Sequence, residues 1–476
     1  MIRTTALYLL VAFLCIYAYR HWYRSLCGLI LLMAVIEHPD MPKNIMGFQG
    51  LNPWNILMFN VILGWLISRR REGLVWDMPR AINVLLILYL LVVLFGFFRM
   101  MLDRAHMDGF TTSQLISENL INTIKWVIPG LLLFHGCRTR QRLLMGLIAI
   151  LALYFLLAVQ VIRWMPPSAA LSGEHLEARS KKIIRNEIGY SRVNMSRMLA
   201  GASWAILATL PLVRRGRYKA LIVAAFLMVA YGQALSGGRM GYVTWGMVGL
   251  ILSLLRWRSY LLLAPLVPIL IVLVLPGVAE RMLEGFGVTD VAGQEYIDDY
   301  QVTAGRTLIW PHVIDKILEA PVCGHGREAM VRTGLRDFLG QEYGRSEAFP
   351  HPHNAYLELL LDNGLLGFVI IMPFYAVVVI HAVRLFVDRR NSIFPAVGGV
   401  ALALVLALLV ASMGSQTFYP REAEVGVWAA IGLMMRTRLR RERNLATTRP
   451  LRHGSAVGGS FVGGGRSRRL TPPCRL

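Results

Sequence analysis

Two histidines near the end of one long polar stretch are the first candidates for chemistry in this chain. Residues 278–354 separate two groups of apolar runs and end in Phe349-Pro-His-Pro-His-Asn354. The stretch holds seven Lys or Arg against twelve Asp or Glu, whereas the whole chain is formally +22. Because imidazole can act as a general base near neutral pH, His351 and His353 are candidates for proton transfer. The alternative is a histidine that only hydrogen-bonds its own loop.

Arg306 is the main cation of this stretch that could bind an anion. It precedes residues 307–318, which have the pattern of a short helix. A guanidinium there can hold phosphate oxygens through paired hydrogen bonds. The alternative is a surface ion pair with Asp298 or Asp299. That acidic doublet is interpreted as a solvated turn, and no set of ligands with metal-site spacing accompanies it or the histidines, so the sequence predicts no metal.

Arg239 is singled out by topology. It ends the link Ser236-Gly-Gly-Arg239 between two apolar runs whose far ends carry the basic clusters 214–217 and 256–258. If those clusters lie inside, Arg239 emerges on the outer side, against the usual bias. Two glycines before it allow close backbone approach, which favours a phosphate site. Snorkelling of the side chain to lipid headgroups is the alternative.

Other polar and aromatic residues are expected on the same side. Arg192 is a lower-ranked substrate-binding candidate, as is His351. The positive charges around residues 179–197 would meet phosphorylated carbohydrate or headgroups: Lys181, Lys182, Arg185, Arg192 and Arg197. Trp54, Trp126 and Trp164, near the ends of apolar runs, are interpreted as membrane-interface anchors and not as sugar-stacking platforms.

The apolar runs that must position these residues predict an all-α polytopic membrane protein. The chain is 55% hydrophobic, with a mean hydropathy of +0.51 and a pI near 10.3. The runs do not alternate apolar and polar residues, which excludes a β-barrel. Twelve spans are predicted, or thirteen if residues 5–37 form two: 5–19, 25–37, 53–68, 81–98, 120–135, 143–164, 191–213, 219–235, 240–255, 259–276, 364–384, 393–413 and 423–436.

The arginines fix the predicted orientation. Basic clusters fall on every second link, which places those links in the cytoplasm and argues against nucleic acid as the partner of the positive charge. The long polar stretch is then extracytoplasmic. The predicted division of the chain is an N-terminal helix bundle at 1–276, a large, partly helical outer loop at 277–363, C-terminal transmembrane helices at 364–436, and a basic, disordered cytoplasmic tail at 437–476.

The order of several short motifs around this loop resembles the superfamily of O-antigen ligases and Wzy-type polymerases. The resemblance covers residues 190–415. Its motifs are Ser236-Gly-Gly-Arg239, Gly305-Arg306 with Trp310, Pro321-x-x-Gly-x-Gly326, and His353-Asn-x-x-Leu357 with Asn363-Gly-Leu-Leu-Gly367. Ser-Gly-Gly-Arg stands where Ser-x-Ser-Arg is common, which is one departure from the pattern.

The resemblance implies a glycosyltransferase of the GT-C type in the bacterial inner membrane, with its active site facing the periplasm. Such an enzyme takes a glycan from undecaprenyl pyrophosphate and, as an O-antigen ligase, transfers it to a sugar hydroxyl of lipid A-core during lipopolysaccharide biosynthesis. By this resemblance, the functional residues of the family correspond to Arg239, Arg306 and His353 in this chain. We expect the two arginines to bind the pyrophosphate without a cofactor, His353 to act as base or to orient the acceptor, and the anomeric centre to be inverted.

Three alternatives remain open on the sequence. A repeat-unit polymerase and a protein O-oligosaccharyltransferase belong to the same superfamily and differ in acceptor. A lipid or solute transporter is the alternative of another class. It would be favoured by acidic residues inside the spans and by an internal repeat, and neither is apparent in the sequence.

Overall fold

The chain folds as a bundle of helices with one short hairpin. The computed structural model describes residues 2–45, 50–286, 288–289, 295–296, 298, 302–303, 305–343, 349, 351–414 and 416–448. Within these ranges the only sheet is an antiparallel pair, β1 (Val288–Thr289) and β2 (Glu295–Tyr296). The all-α architecture predicted from the apolar runs is confirmed.

Thirteen helices precede the hairpin and six follow it in the described part of the chain. The first group is α1 (Ile2–Ile36), α2 (Pro53–Arg71), α3 (Arg80–Leu102), α4 (Thr112–Ile116), α5 (Asn122–Lys125), α6 (Ile128–Gly136), α7 (Arg140–Trp164), α8 (Gly173–Ile183), α9 (Arg192–Leu207), α10 (Gly216–Leu235), α11 (Arg239–Leu255), α12 (Leu266–Val274) and α13 (Pro276–Leu283). The second group is α14 (Arg306–Glu319), α15 (Ala329–Arg332), α16 (Leu335–Glu342), α17 (Ala355–Phe386), α18 (Ile393–Ala411) and α19 (Val425–Thr448).

Six of the described helices are long and apolar enough to cross a membrane: α1, α3, α7, α10, α17 and α18. A seventh span is possible if α12 and α13, bent by 114° at their junction, are counted together. The other predicted spans fall on helices that are shorter or more polar, such as α9. Nearly all of α9 is buried by protein, including Asn194 and Arg197, so its polar side chains do not face lipid.

Helix α1 turns back on itself. His21 has non-helical backbone angles (φ −140°, ψ 57°), and the Ser25 hydroxyl donates to the carbonyl of Leu14 at 2.9 Å. In a straight helix, eleven residues would separate those positions by roughly 16 Å. Residues 5–37 are therefore two short helices folded against each other, one of the two arrangements that the sequence allowed.

Helix α17 is broken at Gly364 by a second segment of the outer loop. Gly364 has φ 62° and ψ −166°, a conformation that side-chain-bearing residues rarely adopt. Residues 321–326 fill the break. Four backbone hydrogen bonds join the segments: Leu365 N to Pro321 O (2.8 Å), Leu366 N to Val322 O (3.0 Å), His325 N to Leu361 O (2.8 Å) and Gly326 N to Asp362 O (2.7 Å). Two of the sequence motifs are thus partners that close one helix break.

Replacing Gly364 with alanine is expected to destabilise the protein by about 3 kcal/mol, the upper end of single-residue effects. An added Cβ would lie 2.4 Å from the backbone of Val322, at positive φ. Thermal unfolding of the purified protein measures this. Gly246→Ala is the matched control, since nothing lies within 4 Å of its Cβ position. Equal melting temperatures for the two variants would contradict the proposed role of the break.

The basic links predicted to share one side of the membrane do meet on one face. Asp77, between α2 and α3, accepts from Arg436 at 2.7 Å and from Arg443 at 2.7 Å, and pairs with Arg138 at 3.1 Å. The other basic links pair similarly: Arg441 with Asp388 and Arg142 with Glu72. This face therefore ties the N-terminal helices to α19.

The predicted boundary at residue 436 is wrong for the first part of the tail. Helix α19 runs on to Thr448, because the ion pairs to Asp77 and Asp388 hold its last turns against the bundle. Residues 449–476, the rest of the predicted tail, lie outside the described residues. The predicted loop helix at 307–318 is confirmed as α14.

Candidate active site

The link before α11 places Arg239 in a tightly packed corner. Gly237 has φ +68°, and a Cβ there would lie 2.7 Å from the Ser180 hydroxyl. A Cβ on Gly238 would lie 2.7 Å from the Ser196 side chain, whose hydroxyl donates to the Gly238 carbonyl at 3.2 Å. The departure from Ser-x-Ser-Arg therefore has a structural reason, because Ser196 fills the space of a second serine.

Arg239 is held loosely by the loop that follows α13. Its Nη1 donates to the Glu284 carbonyl at 3.4 Å and lies 4.0 Å from the Glu284 carboxylate. That carboxylate contacts Arg281 much more closely, so little of its charge is left for Arg239. The Arg239 side chain is 23% exposed, which leaves its guanidinium accessible to a ligand.

Arg306 is fixed by carbonyl groups and not by a carboxylate. It begins α14 after Gly305, which has the left-handed conformation (φ 76°). Its Nη1 donates to Thr303 O at 3.0 Å and its Nη2 to Gly414 O at 2.7 Å, while its buried Nε has no partner in the described part of the chain. The ion pair with Asp298 is absent, and Asp299 lies outside the described residues. The guanidinium is thus oriented, and no carboxylate within the described residues pairs with it.

His353 is presented by a loop anchored at both ends. Trp310 Nε1 donates to Pro352 O at 3.0 Å, and Ala355 N donates to Ser412 O at 2.8 Å. Asn354 caps α17 by accepting from Tyr356 N at 3.0 Å. His353 itself has φ 53°, a strained conformation that costs about 1–3 kcal/mol and is typical of functional loops.

The two histidines contact each other edge to face. Their ring centroids are 4.3 Å apart, and the His353 backbone N–H donates to His351 Nδ1 at 3.3 Å. Burial lowers the pKa of His353 to about 4, and the positive charge of Arg306 adds to the shift. Burial, His353 and Arg421 lower the pKa of His351 to about 3. Both rings are therefore neutral at physiological pH.

Charge interactions link Arg239, Arg306 and His353, the three residues named by the family resemblance. Burial lowers the pKa of Arg306, and the charge of Arg239 lowers it further, just as Arg306 lowers that of His353. Residues 239, 306 and 353 come from three separate elements: the start of α11, the start of α14 and the loop before α17. The fold thus brings two cations and a neutral imidazole together.

Arg192 belongs to an adjoining ion-pair cluster. Its Nη1 lies 3.3 Å from the Glu177 carboxylate, which also binds Lys181 at 2.7 Å and Arg281 at 2.8 Å. Although burial opposes ionisation, the hydrogen bonds from Lys181 and Arg281 lower the pKa of Glu177 to about 2. Arg192 is therefore already paired with a carboxylate, unlike Arg306.

Several other sequence interpretations are corrected by burial. Arg197, expected among the outer charges, is 2% exposed and donates to the Ala423 carbonyl at 3.2 Å. Trp54 and Trp126, expected as interface anchors, are 1% and 6% exposed, with ring centroids 4.6 Å apart. They lie inside the protein and not among lipids. Trp164 stays partly exposed at the end of α7, in contact with Arg163.

No three His, Cys, Asp or Glu side chains come together as metal ligands within the described ranges.

The sequence also missed three contributors to the site: Arg281, the Gly414 carbonyl and Arg421. A signal existed for Arg281, since it follows an apolar run on the side where cations are unusual, by the same argument that singled out Arg239. The contribution of Gly414 could not be predicted from the sequence, because every residue has a backbone carbonyl.

The buried histidines are expected to make the stability of the protein depend on pH. Their ordinary pKa of 6.5 falls to about 3 and about 4 on folding, so the unfolded chain binds more protons between those values. The free energy of unfolding should therefore decrease as the pH falls from about 6.5 to about 4. Melting temperatures of the wild type and of His351→Gln/His353→Asn measure this. A difference between them that does not change with pH would contradict it.

Comparison with known proteins agrees with this geometry. Residues 220–372 match the O-antigen ligase family, a shorter interval than the predicted 190–415 that still contains Arg239, Arg306 and His353. A 152-residue segment is 23% identical to a Rickettsia conorii protein named as a polysaccharide ligase and covers 31% of this chain. The match spans 36% of the length of that relative. Residues 220–372 of this multi-pass helical membrane protein are thus similar in sequence to the O-antigen ligase family.

Proposed function

We propose that the protein is an O-antigen ligase that transfers glycan from undecaprenyl pyrophosphate to a sugar hydroxyl of lipid A-core at the periplasmic face of the inner membrane. The observation that carries the proposal is the meeting of Arg239, Arg306 and His353 at one site, on elements distant in sequence. The face bearing Asp77 and its arginines would then be cytoplasmic, as the excess of basic residues favours.

The arginines would stabilise the leaving group. Breaking the bond between the sugar C1 and the pyrophosphate oxygen develops negative charge on the diphosphate, and fixed cations aimed at that charge lower the barrier. Arg306 is suited to this because carbonyl groups hold its two Nη atoms in place, and no carboxylate within the described residues offsets its charge. Arg239, weakly held by Glu284, would bind the second phosphate.

His353 would accept the proton of the attacking hydroxyl. With a pKa near 4 in the free protein the imidazole is neutral, as a base must be, but weakly basic. Bound pyrophosphate would offset the charge of Arg306, and this would raise the pKa of His353 towards its ordinary range. The donor would thus activate the base that its own reaction needs. In-line attack by the hydroxyl then inverts the anomeric carbon.

The lipid tail of the donor would leave the site through the bilayer beside α12. None of the residues of α12 is buried, and Leu270 and Leu273 are 57% and 73% exposed. This helix leads directly into α13, which carries Arg281. An apolar helix that ends at the cationic cluster fits a ligand with a polyprenyl chain and a diphosphate head.

Deleting the gene and examining the lipopolysaccharide tests the proposed function. Complete glycan chains left on undecaprenyl pyrophosphate, together with bare lipid A-core, are the expected result. A core that carries a single repeat unit would instead identify a repeat polymerase, and loss of protein-linked glycan a protein O-oligosaccharyltransferase. Normal lipopolysaccharide would refute all three activities.

The transporter alternative is not favoured by the buried acids that the structure reveals. Asp362 of α17 is 3% exposed and precedes the break at Gly364. It accepts from Ala329 N at 3.1 Å and from the Tyr419 hydroxyl at 2.9 Å. These bonds fix the outer loop on α17, which is a structural role and not that of a mobile proton or ion site.

Transfer is expected to persist in EDTA, since two guanidinium groups would supply the charge that a divalent cation supplies elsewhere. The measurement compares the rate of transfer by the purified protein in EDTA with the rate after Mg²⁺ is added back. A rate that vanishes in EDTA and returns with Mg²⁺ would refute the metal-independent mechanism while leaving the acceptor and donor assignments in place.

A further inference from the structure

A polar cavity of about 820 Å³ is lined in part by residues 419–422, which lie shortly after Gly414, the residue whose carbonyl binds Arg306. This volume falls within the roughly 300–1,000 Å³ typical of small-molecule sites. Residues from four parts of the described chain form its walls: 36–44 with 50–55, 111–126, 327–328 and 419–422. Most of these residues lie outside the interval 220–372 that matches the ligase family. The cavity is therefore built mainly by parts of the chain to which the match assigns nothing.

The walls suit a neutral ligand rich in hydroxyl groups. Four Glu side chains and four Lys or Arg side chains line the cavity, so it carries no excess of either charge for a polyanion. Amide side chains, which both donate and accept hydrogen bonds, occupy much of the remaining wall: Asn52, Asn55, Gln114, Asn119 and Asn122. The carboxylate of Glu328 makes no hydrogen bond or ion pair within the described residues.

An aromatic and cationic cluster forms one side of the cavity. Lys125, 6% exposed, lies with its Nζ 4.2 Å from the ring centroid of Trp126 and donates to Asn55 Oδ1 at 3.2 Å. Trp54 packs against Trp126, and both line the cavity. Since the two indoles are 1% and 6% exposed, they form the back of this wall, and the polar groups beside them would contact a ligand.

One short segment connects this cavity to the candidate active site. At its start, the Gly414 carbonyl accepts from Arg306. At its end, Arg421 lines the cavity, and the charge of Arg421 helps to lower the pKa of His351, whose ring contacts His353. A saccharide in the cavity would therefore contact the end of the segment whose beginning binds Arg306.

We propose that this cavity binds the sugar rings of the acceptor and presents one hydroxyl to His353. The inference rests on the proposed function, since it assigns the two substrates of that reaction to two chemically different sites. Arg239 and Arg306 would bind the charged diphosphate. The charge-balanced cavity would bind the neutral saccharide. Glu328 would accept hydrogen bonds from hydroxyl groups of the acceptor, and Asn122 would donate to them or accept from them.

Direct binding and steady-state kinetics test the assignment separately. Full-length protein in lipid nanodiscs is titrated with delipidated core oligosaccharide, with the tryptophan fluorescence as readout and no donor present. Glu328→Gln and Asn122→Ala are each expected to weaken binding about tenfold, the effect of one lost hydrogen bond to a charged or well-placed group. Glu319→Gln, an exposed site outside the cavity, is the matched control and should bind as the wild type does.

In the transfer assay the same two variants should raise the KM for the acceptor about tenfold while kcat and the KM for the donor stay near the wild-type values. An unchanged acceptor KM and affinity in both variants would overturn the assignment, as would a rise in the donor KM alone, which would mean that the cavity holds the donor glycan. Oligosaccharide binding that depends on the cavity in a protein without transferase activity would support the site and refute the proposed function. Asn122→Ala, a truncation at a partly exposed position, carries the test if Glu328→Gln fails to fold.

Discussion

Replacing Arg306 with alanine is expected to lower the rate of glycan transfer by roughly 10²–10³-fold, the loss typical of one fixed charge-stabilising donor. The guanidinium is held by two carbonyls and has no carboxylate to neutralise it within the described residues, so its charge acts on the leaving diphosphate. The loss should appear in kcat, because negative charge grows as the bond breaks. Purified protein with a lipid-pyrophosphate donor gives kcat and KM.

Two further variants sharpen this test. Arg306→Lys keeps the charge but loses the planar fork, so we expect an intermediate rate. Arg214→Ala removes an exposed arginine before α10 and should transfer at the wild-type rate. Full activity of Arg306→Ala, at wild-type abundance in the membrane, would remove the pyrophosphate clamp from the mechanism.

Replacing His353 with alanine is expected to lower kcat by about 10²–10⁴-fold, the usual contribution of a general base. The pH profile tests the role more specifically than the rate. In the free protein the pKa of His353 is about 4, so kcat/KM for the donor should stay flat down to about pH 5. Once the diphosphate offsets the charge of Arg306, the pKa rises, and kcat should fall at a higher pH than kcat/KM does.

His351→Ala is the comparison for this prediction. His351 accepts the His353 backbone N–H through Nδ1 and contacts its ring, so its loss should disturb the position of His353 and reduce kcat less than loss of His353 itself. A residual pH dependence identical to that of the wild type in His353→Ala would show that another group accepts the proton.

Local patterns predicted most of the helical framework. The helix at residues 307–318 is predictable because its signals are contained in neighbouring residues. Arg239 was found because the positive-inside bias makes an arginine at the outer end of a span unusual. The tail helix beyond residue 436 was missed because its stabilisation comes from Asp77, more than 300 residues away along the chain.

The motifs resembling the ligase family divide into two kinds that only the structure separates. Arg239, Arg306 and His353 are proposed to form one site, linked by the charge effects of Arg239 on Arg306 and of Arg306 on His353. Gly324, Gly326 and Gly364 instead hold together a broken helix, where a Cβ would come within 2.4–2.9 Å of neighbouring atoms. Residue order along the chain does not show that Gly324, Gly326 and Gly364 belong to one helix break.

Hydropathy and charge along the chain are enough to identify a helical membrane protein, the arginines that lie outside against the positive-inside bias, and the loop that carries the histidines. Each of these properties belongs to a single segment, because a segment enters the bilayer or the water according to its own hydropathy and charge. The tertiary structure decided that Trp54 and Trp126 are buried beside a polar cavity, that Arg192 is already paired, and that Gly414 orients Arg306. Those contacts join residues far apart in sequence, and only the packing of the helices sets the distances between them.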